Sequence, residues 1–232
     1  KEAVQAYLAT IAYLDMNVGR LLDADYHETM LRPDVVVVQQ TRTGKGNALA
    51  CGFAACRGDI IVMLDADGST SPAEIPRFVD ALIGGADFAK GSRFIEGGGS
   101  SDLTRVRRTG NRFLSAVVNA LYGTSYSDLC YGYNAFWSGC LPLLGLDPGR
   151  SLDGDEERRL WGDGFEVETL INVRIAKAGL RVTEVASFEQ NRLHGVSNLN
   201  AFSDGLRVLR TIAIERWGNA LGTAMWTERQ RQ

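Results

Sequence analysis

Asp65 and Asp67, two carboxylates one residue apart in the triplet Asp65-Ala66-Asp67, are the residues of this chain best suited to do chemistry. The run before them, DIIVML over residues 59–64, reads as a buried strand, and the DADGST that overlaps its end reads as an acidic turn. In an open α/β sheet, ligands gather outside the carboxyl ends of the strands. Two carboxylates in a turn there can both face a hard divalent cation, which takes oxygen ligands and shares them with substrate phosphates. The plain alternative is a solvated acidic turn, with Ser69 or Ser71 capping the next helix.

Positive charge accumulates downstream. Lys90-Gly91-Ser92-Arg93 ends the next expected strand, residues 87–90, and puts cations at the same sheet edge. Between residues 90 and 112, six basic side chains (Lys90, Arg93, Arg105, Arg107, Arg108, Arg112) meet two acidic ones (Glu96, Asp102), a local +4 in a chain whose total is −3. An acidic metal site beside a basic rim is what a diphosphate donor and an anionic acceptor require. For the arginines the alternative is a solvated helix face. A phosphate acceptor fits the basic cluster well. Its second pKa is about 6, so it is already anionic and needs positive charge rather than a base. A hydroxyl acceptor would need a general base, and Asp128, Glu166 and Glu168 are then the candidates; otherwise they are a turn residue and two helix-surface carboxylates. Only His27 and His194 are available for histidine chemistry, and no GxSxG elbow supplies a serine nucleophile.

The elements that must position these groups follow from periodicity. Residues 1–24 read as an amphipathic helix, with Val4, Tyr7, Leu8, Ile11, Leu14, Val18, Leu21 and Leu22 at helical spacing. The β-branched run 34–40 reads as a strand, TRTGKGN as a turn, and 48–56 as a helix of small residues. Ser71-Pro72-Ala73-Glu74 has the form of a capping box with proline at the first helical position, opening a helix to about residue 83. A basic helix is expected over 104–122, a strand near 131–137, a surface loop over 147–159, a helix over 165–178, a strand over 181–186 and a last helix over 201–217. Strands alternating with helices imply a mainly parallel sheet covered on both faces.

Composition agrees with one large α/β domain or two small ones: 232 residues, 45% hydrophobic and 23% charged. A net charge of −3 argues against a nucleic-acid coat. The four cysteines, at 51, 56, 130 and 140, form no CxxC pair, which points to a reducing, cytoplasmic setting. No apolar run reaches the ~18 residues of a membrane span, so the expectation is a soluble or peripheral protein.

TGKGNALACGFAACRGDIIVMLDADGS, AKGSRF, SDLCYGYNAF, GFEVETLINVRIAKAGLRVTEV and RLHGVSN occur in that order. Together they resemble glycosyltransferase family 2, in the branch of polyprenol- and dolichol-phosphate sugar transferases, over residues 31–217. The resemblance implies a GT-A (Rossmann-like) fold and an inverting enzyme. That enzyme would move a sugar from a nucleotide-diphosphate sugar to a polyprenyl phosphate, using Mg²⁺ or Mn²⁺. It also implies donor contacts from Lys45, Asp65 and Asp67, with Asp67 on the metal. Arg93 would touch phosphate, and Arg105, Arg107 and Arg108 compete for the acceptor phosphate. Asp128 and Glu168 are the catalytic candidates. A lipid acceptor implies peripheral contact at the inner face of the membrane, through the basic helix and an apolar stripe of Phe202, Leu206, Leu209, Ile212 and Ala213. Ser69 and Asn198 depart from the family's usual glutamine and lysine.

The amino end departs further. The family's first two strands, with their Pro…Asn-Glu and Asp-rich turns, have no counterpart before Leu31. The helix expected over 1–24 instead resembles a segment of sulfatases, without their nucleophile motif. The expectation is an unrelated segment over 1–30, a GT-A domain over 31–217 lacking its first βαβ portion, and a polar tail over 218–232. Two rivals stand beside this reading. One is a catalytically inactive GT-A-like binding domain. The other is an NAD-dependent oxidoreductase, because Gly44-Lys45-Gly46 precedes a helix and Asp65 lies about 20 residues on.

Overall fold

The computed structural model describes residues 6–8, 37–65, 67–149, 162–192 and 201–229, with the backbone alone for 6–8, 201–203 and 219–229. Its main sheet contains β1 (Ala6–Leu8), β2 (Ile60–Met63), β3 (Phe88–Ser92), β5 (Asn134–Trp137) and β6 (Val182–Ala186), in the order β1-β2-β5-β3-β6. β1 pairs parallel to β2, and β3 parallel to β6, while β5 runs antiparallel to both β2 and β3. Four strands therefore share one direction and β5 is reversed. A fully buried strand reads the same in either direction, so the pattern alone does not reveal that reversal. β4 (Gly99–Ser100) and β7 (Phe188–Glu189) form a separate parallel pair.

Alternation along the strands splits the core into two layers. Ile61, Met63, Phe88 and Phe136 face α1 (Lys45–Ala55) and α5 (Val167–Lys177), meeting Leu49, Phe53, Val167 and Ile171. Ile60, Val62, Ala89 and Ala135 face α2 (Ile75–Ile83) through Phe78 and Leu82. Tyr133 stacks on Phe78 at 4.3 Å. Each large apolar side chain buried this way contributes about 1.5–3 kcal/mol, which fixes the register of the strand ends that carry the polar residues. A third layer joins α3 (Arg105–Tyr122), α5 and α6 (Ala201–Arg229) through Leu114, Val118, Val173, Val208 and Ile212. The short α4 (Leu141–Leu144) packs beside α5.

Several expectations change. Ala6–Leu8 is a strand at the edge of the sheet, not part of a helix. β2 has unpaired backbone groups on the side away from β5, and pairing them overrides a helical spacing of apolar residues. The rest of that expected helix, residues 1–5 and 9–24, and the first three residues of the run 34–40 lie outside the described residues; Val37–Gln40 form no strand. Ser71 makes no side-chain cap. Glu74 reaches instead to Ser187 Oγ (2.5 Å) and the Phe188 amide (3.1 Å), tying α2 to the end of β6. The last helix continues past residue 217 to Arg229. Of its expected apolar stripe, Ile212 is buried, Leu209 half-buried and Leu206 exposed; the side chain of Phe202 lies outside the described residues. Among the described residues no helix is long and apolar enough to cross a membrane.

Candidate active site

Three elements bring charge to the carboxyl end of β2. The strand ends at Met63 and delivers Asp65 beyond it. α1 begins at Lys45, and Glu168 lies in the first turn of α5. Lys45 Nζ stands 2.7 Å from Asp65 Oδ1 and 2.5 Å from Glu168 Oε1. The Asp65 side chain is 40% exposed, those of Lys45 and Glu168 only 11% and 14%. Burial works against the charge of Lys45, but Asp65 and Glu168 outweigh it and hold the ammonium above its ordinary pKa. Burial raises the pKa of Glu168, Asp65 pushes the same way, and Lys45 opposes both. A glycine makes the gathering fit: a Cβ on Gly132 would lie 2.6 Å from Glu168 Oε1 and 3.5 Å from Asp65 Oδ2.

The start of α1 is seated on backbone. The Gly46 amide donates to the Asp163 carbonyl at 2.8 Å, and a Cβ on Gly46 would fall 1.6 Å from the Gly162 oxygen. Arg42 holds Asp163 through Nε to Oδ2 (2.9 Å) and Nη2 to Oδ1 (3.0 Å). Glu166 accepts from the Gly162 and Gly164 amides, both at 3.2 Å. The two glycines of Gly44-Lys45-Gly46 thus admit the 162–163 backbone at the helix N-terminus, where a dinucleotide's pyrophosphate would have to sit. That removes the oxidoreductase reading.

Asp67 folds its turn back on itself, Oδ1 accepting from the Ser69 amide at 3.0 Å. Its Oδ2 is 3.3 Å from Arg192 Nε, which also lies 3.9 Å from Asp102 Oδ2. Among the described residues no group of three or more His, Cys, Asp or Glu side chains gathers as a metal cage. An all-oxygen pair of turn carboxylates instead fits a hard cation whose shell is completed by phosphate and water.

The other basic residues divide. Lys90, expected as a cation at the sheet edge, is fully buried and donates to the Tyr131 carbonyl (2.9 Å) and Asn134 Oδ1 (3.4 Å); burial lowers its pKa. Arg93 is buried too. Its Nε and Nη2 reach Asp128 Oδ2 (2.7 Å) and Oδ1 (3.0 Å), its Nη1 reaches Glu189 Oε2 (2.9 Å), and it lies 4.6 Å above the Tyr131 ring. Asp128, with no exposure, also accepts from Asn111 Nδ2 at 2.9 Å. Arg105 and Arg108 are exposed on the first turn of α3, and Arg107 pairs with Asp102 at 3.3 Å. Arg108 and Arg112 flank Phe94 at 5.8 and 6.0 Å. Arg192, Gly132 and the Arg42–Asp163 pair carry no role from sequence alone. Arg192 stands in the stretch RLHGVSN, and Gly132, set between Tyr131 and Tyr133, is the available sign of a close approach.

A mostly parallel sheet covered on both faces, with an acidic turn at the carboxyl end of one of its strands, is the architecture of the GT-A fold class. The chain belongs to glycosyl transferase family 2, whose model matches residues 23–139. The undecaprenyl-phosphate mannosyltransferase of Micrococcus luteus is 31% identical over 234 residues, covering 90% of each chain. Glycosyltransferase AglJ of Haloferax volcanii is 29% identical over 171 residues, 73% of this chain but 52% of its own length. The chain therefore spans about half of that relative. Among solved structures, glucosyl-3-phosphoglycerate synthase from Mycobacterium tuberculosis, in complex with Mn²⁺ and UDP-glucose, superposes with a TM-score of 0.51. It is 25% identical, over 80% of this chain and 57% of that one.

Proposed function

We propose that the chain transfers a sugar from a nucleotide-diphosphate sugar to a polyprenyl phosphate, with inversion, at the cytoplasmic face of a membrane. The observation that carries this reading is the convergence of Lys45, Asp65 and Glu168 beyond β2, and the exposed Arg105 and Arg108 on α3 supply the positive charge an anionic acceptor needs. Asp67, with Asp65 beside it, would hold Mg²⁺ or Mn²⁺. When bound, the cation supplies positive charge to the diphosphate leaving group. Lys45 and Asp65 bind the donor side. Arg105, Arg107 and Arg108 receive the acceptor phosphate and keep it in line. An acceptor phosphate oxygen attacks the anomeric carbon, the bond to the donor's β-phosphate oxygen breaks, and the nucleoside diphosphate leaves with the electron pair. Glu168 holds Lys45 in place during the transfer. Asp128 acts at a distance, by holding Arg93 under the acceptor side.

The relative acting on undecaprenyl phosphate supports the lipid acceptor, and the Mn²⁺ and UDP-glucose bound by the structural neighbour support the donor and metal. Peripheral membrane contact follows from the acceptor: anionic headgroups attract exposed arginines by about 1 kcal/mol each, and Val106 and Phe113 lie exposed on the same helix. The test offers UDP- and GDP-sugars with a polyprenyl phosphate in detergent, with Mn²⁺ or with EDTA. Metal-dependent formation of a lipid-linked sugar supports the reading, while metal-dependent donor hydrolysis without lipid product would refute the acceptor. Nucleotide binding without any turnover would favour an inactive binding domain. Replacing Arg105, Arg107 and Arg108 together should raise the acceptor KM about tenfold and abolish salt-sensitive binding to anionic liposomes.

A further inference from the structure

Both carboxylates of the Asp65-Ala66-Asp67 turn already carry a cation of the protein. Lys45 Nζ is 2.7 Å from Asp65 Oδ1, and Arg192 Nε is 3.3 Å from Asp67 Oδ2. These cations come from separate parts of the chain, the start of α1 and the segment after β7. Each also has a second carboxylate outside the turn. Lys45 keeps Glu168 at 2.5 Å, and Arg192 lies 3.9 Å from Asp102. Either cation can therefore leave the turn without being stranded.

A divalent ion approaching Asp65 and Asp67 meets two like charges a few ångströms away. In the dielectric of a partly buried site such repulsion exceeds thermal energy several-fold. A metal arriving alone must displace Lys45 and Arg192 with nothing to offer them. A metal arriving with a diphosphate brings the anion those two groups can turn to. We propose that Lys45 and Arg192 are stand-in cations, holding Asp65 and Asp67 until a metal–nucleotide complex takes the carboxylates and accepts the displaced cations on its phosphates. The inference rests on the donor-site reading above, and it adds Arg192 to the residues that contact the donor. Its consequence is a strong, reciprocal coupling between metal and nucleotide.

The experiment titrates MnCl₂, followed by electron paramagnetic resonance of the free ion, with no nucleotide and then with UDP or GDP. Wild type, Lys45→Met and Arg192→Met are compared. Without nucleotide, each substitution should tighten Mn²⁺ binding by about tenfold, because a competing charge is gone. With nucleotide, each should loosen it by a similar factor. A residue that merely supports the fold would loosen both. Arg192, about a quarter exposed, keeps the test open should Lys45→Met not fold. Unchanged or weaker Mn²⁺ affinity without nucleotide, in either folded variant, overturns the proposal. Wild type that binds Mn²⁺ with neither UDP nor GDP overturns the donor-site reading itself.

Discussion

Two charged clusters lie at the same end of the main sheet and are built in opposite ways. Around Arg93, every strong donor and acceptor has a partner inside the protein: Asp128 is bidentate, Glu189 takes the remaining arm, Asn111 completes Asp128, and Tyr131 covers the guanidinium face. Exposure there is 6% for Arg93 and none for Asp128. Around Asp65 and Asp67 the carboxylates of the turn are 40% and 24% exposed, each contested by one cation that has somewhere else to go. A saturated buried cluster specifies the local fold, because breaking it strands a charge. A contested, open one can exchange partners, and a binding site requires that.

Substitutions can break this contrast at graded cost. Asp128→Ala should be the most damaging to the fold. It leaves Arg93 with a single carboxylate and takes the Asp128 acceptor from Asn111 Nδ2 in the interior, a loss of about 3–5 kcal/mol in urea unfolding. Gly46→Ala should cost about 2 kcal/mol, since the new methyl must push the Gly162 carbonyl aside. Because that contact seats Lys45, the donor KM should rise along with the loss of stability. A similar loss with an unchanged donor KM would uncouple α1 from the site.

The smallest effect concerns acid stability, away from both clusters. Glu215 is partly desolvated, which favours its neutral form, but hydrogen bonds from Arg174 (3.0 Å) and Lys177 (3.0 Å) outweigh this and hold its pKa below the ordinary 4.5. The folded carboxylate thus binds a proton more weakly than the unfolded one. Its contribution is present above the unfolded pKa and lost as pH falls through the lower folded value. Glu215→Gln should flatten the acid limb of the stability curve by under about 1 kcal/mol. An unchanged acid limb would show that α6 is held to α5 by packing alone.

The contrast also explains what could be read from sequence. The apolar run before Asp65 announced a buried strand, and Asp65 does stand just beyond β2. The helices carrying Arg105 and Glu168 were likewise legible, whereas Lys45 fell in the expected turn over 41–47 and in fact opens α1. Burial of charge was not. Lys90 and Arg93 add to a local +4 in the sequence, and only the fold reveals that Tyr131, Asn134, Asp128 and Glu189 enclose them. Direction and pairing were also silent. β5 is reversed without any sign in its composition, and Ala6–Leu8 joins the sheet despite a helical pattern. Arg192 finds Asp67 across a stretch of chain too long for local spacing to register.

The most direct test of the central claim is Asp67→Asn, followed in parallel by metal-dependent sugar transfer and by urea unfolding. The side chain is 24% exposed, and the amide nearly preserves its shape, so stability should stay within about 0.5 kcal/mol of wild type. Transfer should fall by on the order of a thousandfold, through loss of the charge that holds the cation. Wild-type turnover in this variant, or full turnover in EDTA, would contradict the assignment of Asp67 to the metal and with it the open character of this end of the sheet.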